Sequence, residues 1–486
     1  MKKIFIFIVV STIMTLQAQA GGLVTNSNQS ASYYRMLARG ASISGDAVYY
    51  NPAGLGFLEQ GLTVSLNTQM IWMQRTLNND FDKLNTSEFI GKLYVPVFPG
   101  VYAAYKTGQW TFSLGFNPPA GGGSIEFNDG LPMLELPVSD VLNKVPVITQ
   151  YRMNAMMKGS SIVYGVQAGA AYRITDMLSV SAGVRMMFAS NGYEGYLKDV
   201  EFNPAHPNPQ LSLDGSWLNS AGLAAAGNAI DAQADAIPPA ALADPQILEQ
   251  YTQLKTLAGG LKLVSASTTD QFLDVKQKGN GIAPIFGVHL NLGNLNLAAK
   301  YECKTKITIK NETKKNAMNM YPDGQELRSD VPALLSLAGS YNIVPALKLS
   351  VTYLHHFEPQ ATIESWAADA TNPNGGTFVQ RQDLIDKGTN EYMAGLEWNI
   401  GGKITVSTGC QWSDVSVKDS WQNDIAHNLD NLTWGLGAAY HFNERISLNL
   451  GGLYTWYTSS SVNNGAYTQK YDRTNKAIAI GIDYRF

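Results

Sequence analysis

Charge is scarce in this chain. Asp, Glu, Lys and Arg together make up 15% of its 486 residues, against about 25% in ordinary soluble domains. The formal net charge is −4, which offers no basic surface for nucleic acid, so no nucleic-acid partner is expected. Cysteine is nearly absent. Cys303 and Cys410 are the two present, too few for a disulfide scaffold, and they read as two inert thiols or as a single bridge. Past residue 20 there is no stretch of 18 or more apolar residues, so no transmembrane helix is expected. Six histidines (His206, His289, His355, His356, His427 and His441) are scattered along the chain. None has a metal-ligand spacing or an evident nucleophile beside it, and His355 and His356 would face opposite sides of a strand. No catalytic residue, metal or cofactor is expected.

What is present points to a sheet that faces lipid. Gly numbers 45, Tyr 24 and Trp 9, the composition a barrel with aromatic girdles requires. Lys2 and Lys3, the apolar run Ile4 to Leu16 and then Ala18-Gln19-Ala20 read as a secretory signal over residues 1–20, cleaved before Gly21. At the other end Ile478, Ile480, Ile482, Tyr484 and Phe486 alternate with Ala479, Gly481, Asp483 and Arg485. That is period 2, apolar outward and small or polar inward. A last strand ending in Phe486 resembles the signal by which the barrel assembly machinery takes up its clients.

Hairpin signals recur between these ends. Short turns fall at Thr107-Gly108, Thr175-Asp176, Leu292 to Asn294, Asn342 to Pro345, Gly401-Gly402 and Asn443-Glu444. Longer polar segments lie near 76–91, 119–154, 195–270, 311–328, 359–388, 419–427 and 459–470. Six short turns and seven long loops need 14 strands, with both termini and the short turns on the periplasmic side. The expected fold is therefore an all-β membrane protein, a 14-stranded antiparallel transmembrane β-barrel over residues 61–486, with strands of about 9–11 residues. A soluble all-β sandwich or propeller is the competing fold.

Residues 21–60 do not read as a strand. They are small, polar and glycine-dotted, with one amphipathic stretch at Ser32 to Ala38. A barrel of 14 strands is wide enough to need filling, so this segment is expected to be a plug folded into the lumen. Ala47-Val-Tyr-Tyr-Asn51-Pro52-Ala53-Gly54-Leu55 resembles the Asn-Pro-Ala motif of FadL-type outer-membrane transporters of hydrophobic compounds. Arg39 to Ala47 is similar to the hatch of that family, Gly169 to Gly183 resembles one of its periplasmic turnarounds, and Lys300 to Ile307, Asp330-Val-Pro332 and the last three residues are also similar. The resemblance implies an N-terminal hatch with Asn51, Pro52, Ala53 and Gly54 at its periplasmic end. It also implies uptake of long-chain fatty acids or related compounds.

Two loops carry apolar residues that a surface loop does not need. One holds Leu131, Met133, Leu134, Leu136 and Val138; the other, residues 217–263, reads as helices broken at Pro238-Pro239 and holds Leu223, Ile247, Leu248, Tyr251 and Leu254. They form a groove for lipid tails, or they pack on each other and cap the barrel. Burial of a tail contributes about 0.8 kcal/mol per CH₂. Pro118, Pro119, Gly121, Gly122 and Gly123 in the third strand are ladder breakers; the resemblance implies an inward kink there that opens the wall sideways. A carboxylate head needs a cation, and Arg185 and Lys300 on the lumen face, with Arg39 on the hatch, are the candidates. The basic residue that fatty-acid members carry falls on Gly195 here, so aromatic hydrocarbons fit as well. A monomer in contact with outer-membrane lipid and lipopolysaccharide is expected. A general diffusion porin, an adhesin and an outer-membrane esterase are the competing functions.

Overall fold

A computed structural model of the chain describes residues 23, 25–316, 320–368 and 375–486. The secretory signal expected over 1–20 lies outside the described residues. Fourteen strands form the wall. They are β1 (Gly61–Asn79), β2 (Glu88–Thr107), β3 (Trp110–Phe127), β4 (Ile148–Arg173), β5 (Leu178–Pro204) and β6 (Gln271–Asn291). Next come β7 (Leu295–Glu302, resumed at Thr308–Asn316), β8 (Glu326–Arg328, resumed at Leu334–Val344) and β9 (Leu347–His356). The last are β10 (Asn390–Ile400), β11 (Ile404–Asp414), β12 (Asn431–His441), β13 (Ile446–Tyr457) and β14 (Thr468–Arg485). Each strand pairs antiparallel with the next, and β1 closes on β14 from Thr63↔Arg485 to Asn79↔Gln469. Closure leaves no sheet edge, the condition for backbone in hydrocarbon.

Residue parity sets the two faces. Ile478, Ile480 and Ile482 are exposed outward while Ala477 and Ala479 are buried. On β5, Val184, Met186 and Phe188 face out, and Arg185 and Met187 face in. Aromatic residues girdle the outer face at two heights. Trp110 packs on Tyr172 at 4.7 Å and Tyr440 on Phe442 at 4.9 Å near the short turns. Trp72 stacks on Tyr94 at 5.5 Å and Tyr392 on Trp412 at 5.6 Å toward the loops. Tyr and Trp favour these two interfaces because one end of each ring is apolar and the other hydrogen-bonds.

The strands outrun the expected 9–11 residues: β4 has 26 and β5 has 27. Much sequence that reads as loop, including 76–79 and 119–127, continues the ladder. Above the hydrocarbon an outward polar side chain meets water, so apolar alternation fades although backbone pairing persists. Five of the six short turns fall where expected, and the sixth shifts to Pro345-Ala346 between β8 and β9. The helices of the long loop are α5 (Ser220–Asp235) and α6 (Pro245–Ser267), and α3 (Pro132–Ser139) and α4 (Val141–Lys144) cap the other loop. Cys303 and Cys410 are free thiols.

Residues 25–58 lie inside the barrel. Tyr33, Tyr34, Met36 and Leu37 are buried around the short helix α1 (Ala31–Arg35), and Val48 and Leu55 around α2 (Ala47–Tyr50) and the turn after it. The wall receives α1 on inward glycines. A Cβ at Gly451 would stand 2.7 Å from the Arg35 nitrogen, one at Gly435 2.5 Å from the Tyr34 carbonyl, and one at Gly395 2.6 Å from Met36 Cγ. The glycine content therefore serves the seat of this segment as well as the lipid face. Arg35 binds Glu397 at 2.6 Å across the same seat.

Candidate functional site

The Asn-Pro-Ala stretch forms the floor of the lumen at its short-turn end. The Asn51 side chain accepts from the Gly54 N–H at 3.3 Å, and Pro52 opens the 3₁₀ turn Pro52–Phe57 with its φ already set. The Asn51 amide donates to the Ser42 carbonyl at 2.9 Å and meets His289 Nδ1 at 2.8 Å. Ala53 is fully buried. The floor is tied to the wall by Lys106, which donates to the Gly56 carbonyl at 2.7 Å, and by Thr111, which donates to Leu55 at 3.0 Å. Arg39 does not reach outward; it holds Asp46 at 2.7 Å together with Ser42 and Ser44.

Above the floor a narrow cavity lies between the N-terminal segment and the wall, lined by Tyr49, Pro119, Arg185, Met187, Lys300 and Leu334, among others. Two of the predicted head-group residues, Arg185 and Lys300, meet here with the third, Arg39, at its margin. Arg185 and Lys300 share one carboxylate, Glu302, at 2.5 and 2.6 Å. Lys300 also donates to the Tyr49 carbonyl at 2.9 Å, and the Tyr49 ring stands 4.8 Å from the Arg185 guanidinium and 4.9 Å from the Lys300 ammonium.

Strand β3 leaves its partner beside this cavity. The β2–β3 ladder runs to Val101↔Phe116, breaks, and resumes only at Lys92↔Glu126. The β3–β4 register slips twice, between Asn117 and Ala120 and between Gly121 and Gly123. Proline removes ladder donors at Pro118 and Pro119. Gly121 and Gly123 take φ of +72° and +126°, which a side chain rarely adopts, and Gly122 is buried between them. The N-terminal segment takes up the freed groups: the Asn26 N–H donates to the Pro119 carbonyl at 2.8 Å and the Gln29 side chain to Pro118 at 3.1 Å.

At the surface, Leu131, Leu134, Val138 and Leu223 are buried in the main core, and Met133 and Leu254 pack partly against it. Leu136, Ile247 and Tyr251 are half-buried, and Leu248 is exposed. Met133 and Leu134 line a small apolar pocket with Met157, Gly195, Tyr196, Phe272 and Met320. Gly195 thus contributes space where the resemblance implied a cation, and the α6 residues Ile247, Leu248 and Tyr251 lie outside that pocket. The loop between β11 and β12 reaches this region, where Asp424 accepts from the Met133 N–H at 2.6 Å. Burial pushes the Asp424 carboxyl up to about 6. Burial likewise raises Glu358, which receives the Leu23 N–H at 2.5 Å.

No family model matches the chain, and no curated protein matches it in sequence. Solved structures do. It is similar to a FadL homologue of Pseudomonas aeruginosa at 12% identity and TM-score 0.62, over 96% of this chain and 100% of the other. This is the FadL-type barrel fold. The toluene transporter TodX of P. putida matches at 15% identity and TM-score 0.56, over 91% and 94% of the two chains. TbuX, the Ralstonia pickettii toluene transporter, matches at 14% and 0.53, over 95% and 99%. A closed FadL-type barrel with an apolar belt between aromatic girdles is an outer-membrane architecture.

Sequence reasoning passed over three polar residues of the upper lumen, Arg75, Arg473 and His427. Inward parity marked both arginines on their strands, but they lie almost 400 positions apart and only the closure of β1 on β14 makes them neighbours.

Proposed function

We propose that this chain is an outer-membrane channel for uptake of hydrophobic compounds, long-chain fatty acids among them. Substrate is captured by the apolar surface loops, passes the hatch formed by residues 21–60, and leaves sideways into the membrane. The observation that carries this reading is the break in the β2–β3 ladder beside the lumen cavity. An apolar molecule leaving there enters lipid and never meets water. A general porin is disfavoured because residues 25–58 fill the lumen. Residues 1–20 act as the secretory signal, and the 62% exposed Phe486 serves recognition by the assembly machinery. The barrel works as a monomer amid lipid and lipopolysaccharide, and it is not an enzyme.

A second substrate class, aromatic hydrocarbons, is favoured by one specific observation. Arg185 and Lys300 both bind Glu302, and their other donors go to Gln167 and the Tyr49 carbonyl, so neither needs a charged head to satisfy its hydrogen bonds. Two structures of similar fold are toluene transporters. The test is growth on fatty acids or on toluene with and without the gene, with a native mass-spectrometry ligand screen on gently extracted protein. A large steady ion current through the intact protein in planar bilayers would overturn the proposal.

A further inference from the structure

The outer face of the barrel carries a basic patch above its apolar belt. On β6, Val288, Phe286, Pro284 and Ile282 point outward toward lipid. The next outward positions toward the loop end are Asn280, Lys278 and Lys276. On β7, Lys310, Glu312 and Lys314 face out at the same level. Lys306, whose carbonyl lies against Gly281, stands exposed just below them. Lys278 is directly opposite Lys310 across the strand pair, and Lys276 is opposite Glu312.

Like charges directly opposite one another destabilise a sheet, and such partners have Cα atoms only about 5 Å apart. The carboxylates nearby do not neutralise the patch. Lys278 binds Glu312 at 3.0 Å, Lys314 stands 3.7 Å from Asp274, and the Lys315 ammonium lies 4.8 Å from the Phe272 ring. Glu326 is the other cross-strand neighbour of Lys310, and the buried Asp330 is held by Arg328 at 2.7 Å. Six lysines therefore stand among three outward carboxylates, Asp274, Glu312 and Glu326. Among the described residues no carboxylate lies within ion-pair distance of Lys276, Lys306 or Lys310. The chain as a whole carries −4, so a basic surface here runs against its composition. The preceding strands are built the other way. Lys92, Glu126, Lys158 and Glu194 follow one another through successive cross-strand pairs, each cation beside a carboxylate.

We propose that Lys276, Lys278, Lys306 and Lys310 form a binding site on the outer face of β6 and β7 for the phosphates of lipid A, the membrane anchor of lipopolysaccharide. Two observations define the occupant. The cations rise directly from the apolar belt, so a molecule that touches both Ile282 and Lys278 has acyl chains and an anionic head. The patch also lies at the end of the barrel with the long loops, which faces outward. The leaflet there is lipopolysaccharide, whose lipid A is a bisphosphorylated disaccharide on acyl chains. Outward residues two apart on a strand are about 7 Å apart, so the four ammoniums spread over more than one phosphate. Lysine suits this task as a compact, mobile point charge. The inference rests on the outer-membrane location and not on what the lumen carries.

The test is native mass spectrometry on the full mature protein in non-ionic detergent, titrated with bisphosphorylated lipid A and with the same lipid A stripped of its phosphates. The phosphorylated form is expected to bind about tenfold more tightly, and the preference should shrink as salt rises. Lys276→Gln with Lys278→Gln and Lys310→Gln should erase the preference, and the matching arginine triple should keep it. The single Lys310→Gln, expected to lose part of it, serves if the glutamine triple fails to assemble. Lys158→Gln, in the row where each cation already faces a carboxylate, should change nothing. Equal binding of the two lipids, a preference that survives the glutamine triple, or an equal loss in Lys158→Gln overturns the site. Displacement by inorganic phosphate at the same phosphate concentration means an ion site without lipid and also overturns it. Dodecanoate and toluene binding, measured on the same samples, should be the same in every variant. Failure of the parent to bind either one counts against the uptake reading and leaves the lipid A site standing.

Discussion

Gly451→Val isolates the seat of α1. Valine favours the strand it would join, so the barrel wall has no reason to object. The new side chain, however, points inward. Its Cβ would lie 2.7 Å from both the Arg35 nitrogen and the Tyr34 Cβ, closer than non-bonded atoms approach. Overpacking of this kind costs about 1–3 kcal/mol. That amounts to roughly a 5- to 150-fold rise in the ratio of unseated to seated segment. Full release would also break the Arg35–Glu397 pair, whose partners are 9% and 8% exposed, and breaking a buried pair costs about 3–5 kcal/mol. The expected state is therefore a segment that lifts often but returns. Planar-bilayer recordings should show brief openings absent from the parent, while thermal melting of the barrel changes little. Adding Gly435→Val should lengthen the openings by less than the sum, because both positions press on Tyr34. Parental silence in the double variant, with both valines verified and the barrel intact, would refute the claim that these glycines seat the segment.

Three further outcomes follow from other contacts. Asp424, held at about 6 by burial, has a folded pKa above its ordinary value near 3.9. Its contribution is full below pH 4 and is lost as pH rises through 6, by about 3 kcal/mol at most; the protection of the Met133 amide, taken relative to its intrinsic exchange rate, should fall across that window and stay constant in Asp424→Asn. Glu302→Gln leaves Arg185 and Lys300 buried beside a neutral amide and should cost about 3–5 kcal/mol, read as a lower melting temperature that added dodecanoate partly restores. Gly121→Ala puts a side chain at φ +72° with its Cβ 2.5 Å from the Ser161 carbonyl; a loss of about 1–3 kcal/mol should appear as faster hydrogen exchange confined to residues 117–125.

Legibility followed locality. Turns such as Thr107-Gly108 and Gly401-Gly402 are written in adjacent residues, and strand parity around Arg185 or Ile480 needs only a period of two. The strand count came from those two signals. The lengths did not, because Asn78 or Glu126 above the girdle is indistinguishable in type from a loop residue. Asn51 was legible through the Asn-Pro-Ala resemblance; its physical role, a cap on the Gly54 N–H three residues on, came with the structure. Arg185 and Lys300 were found by parity; Glu302 stands two residues from Lys300 on the same strand, but two strand pairings separate it from Arg185, so the three-residue cluster was hidden. The groove was legible as composition and not as geometry: Met133 and Leu134 enter the pocket, while Leu248 faces solvent. Arg75 meets Arg473 only when the barrel closes.

The bent strand and the docked N-terminal segment depend on each other, which bears on how the plug is tested. Every buried backbone group needs a partner. Where β3 parts from β2, Pro118 and Pro119 lose ladder acceptors' partners, and Gln29 and Asn26 supply donors in their place. Asn117 in turn donates to the Gln29 side chain at 2.8 Å, and Thr25 forms a single bridge with Ala120. Deleting residues 21–58 would therefore strip the bulge of its hydrogen bonds, and β3 would be driven back toward β2. The deletion would close the gap between β2 and β3 at the moment it empties the lumen, so a changed ion current cannot be assigned to either. Gly451→Val acts only on α1 and leaves Thr25 to Gln29 in place. It separates the two effects: lumen leakage should rise while exchange protection across 117–125 stays at the parental level.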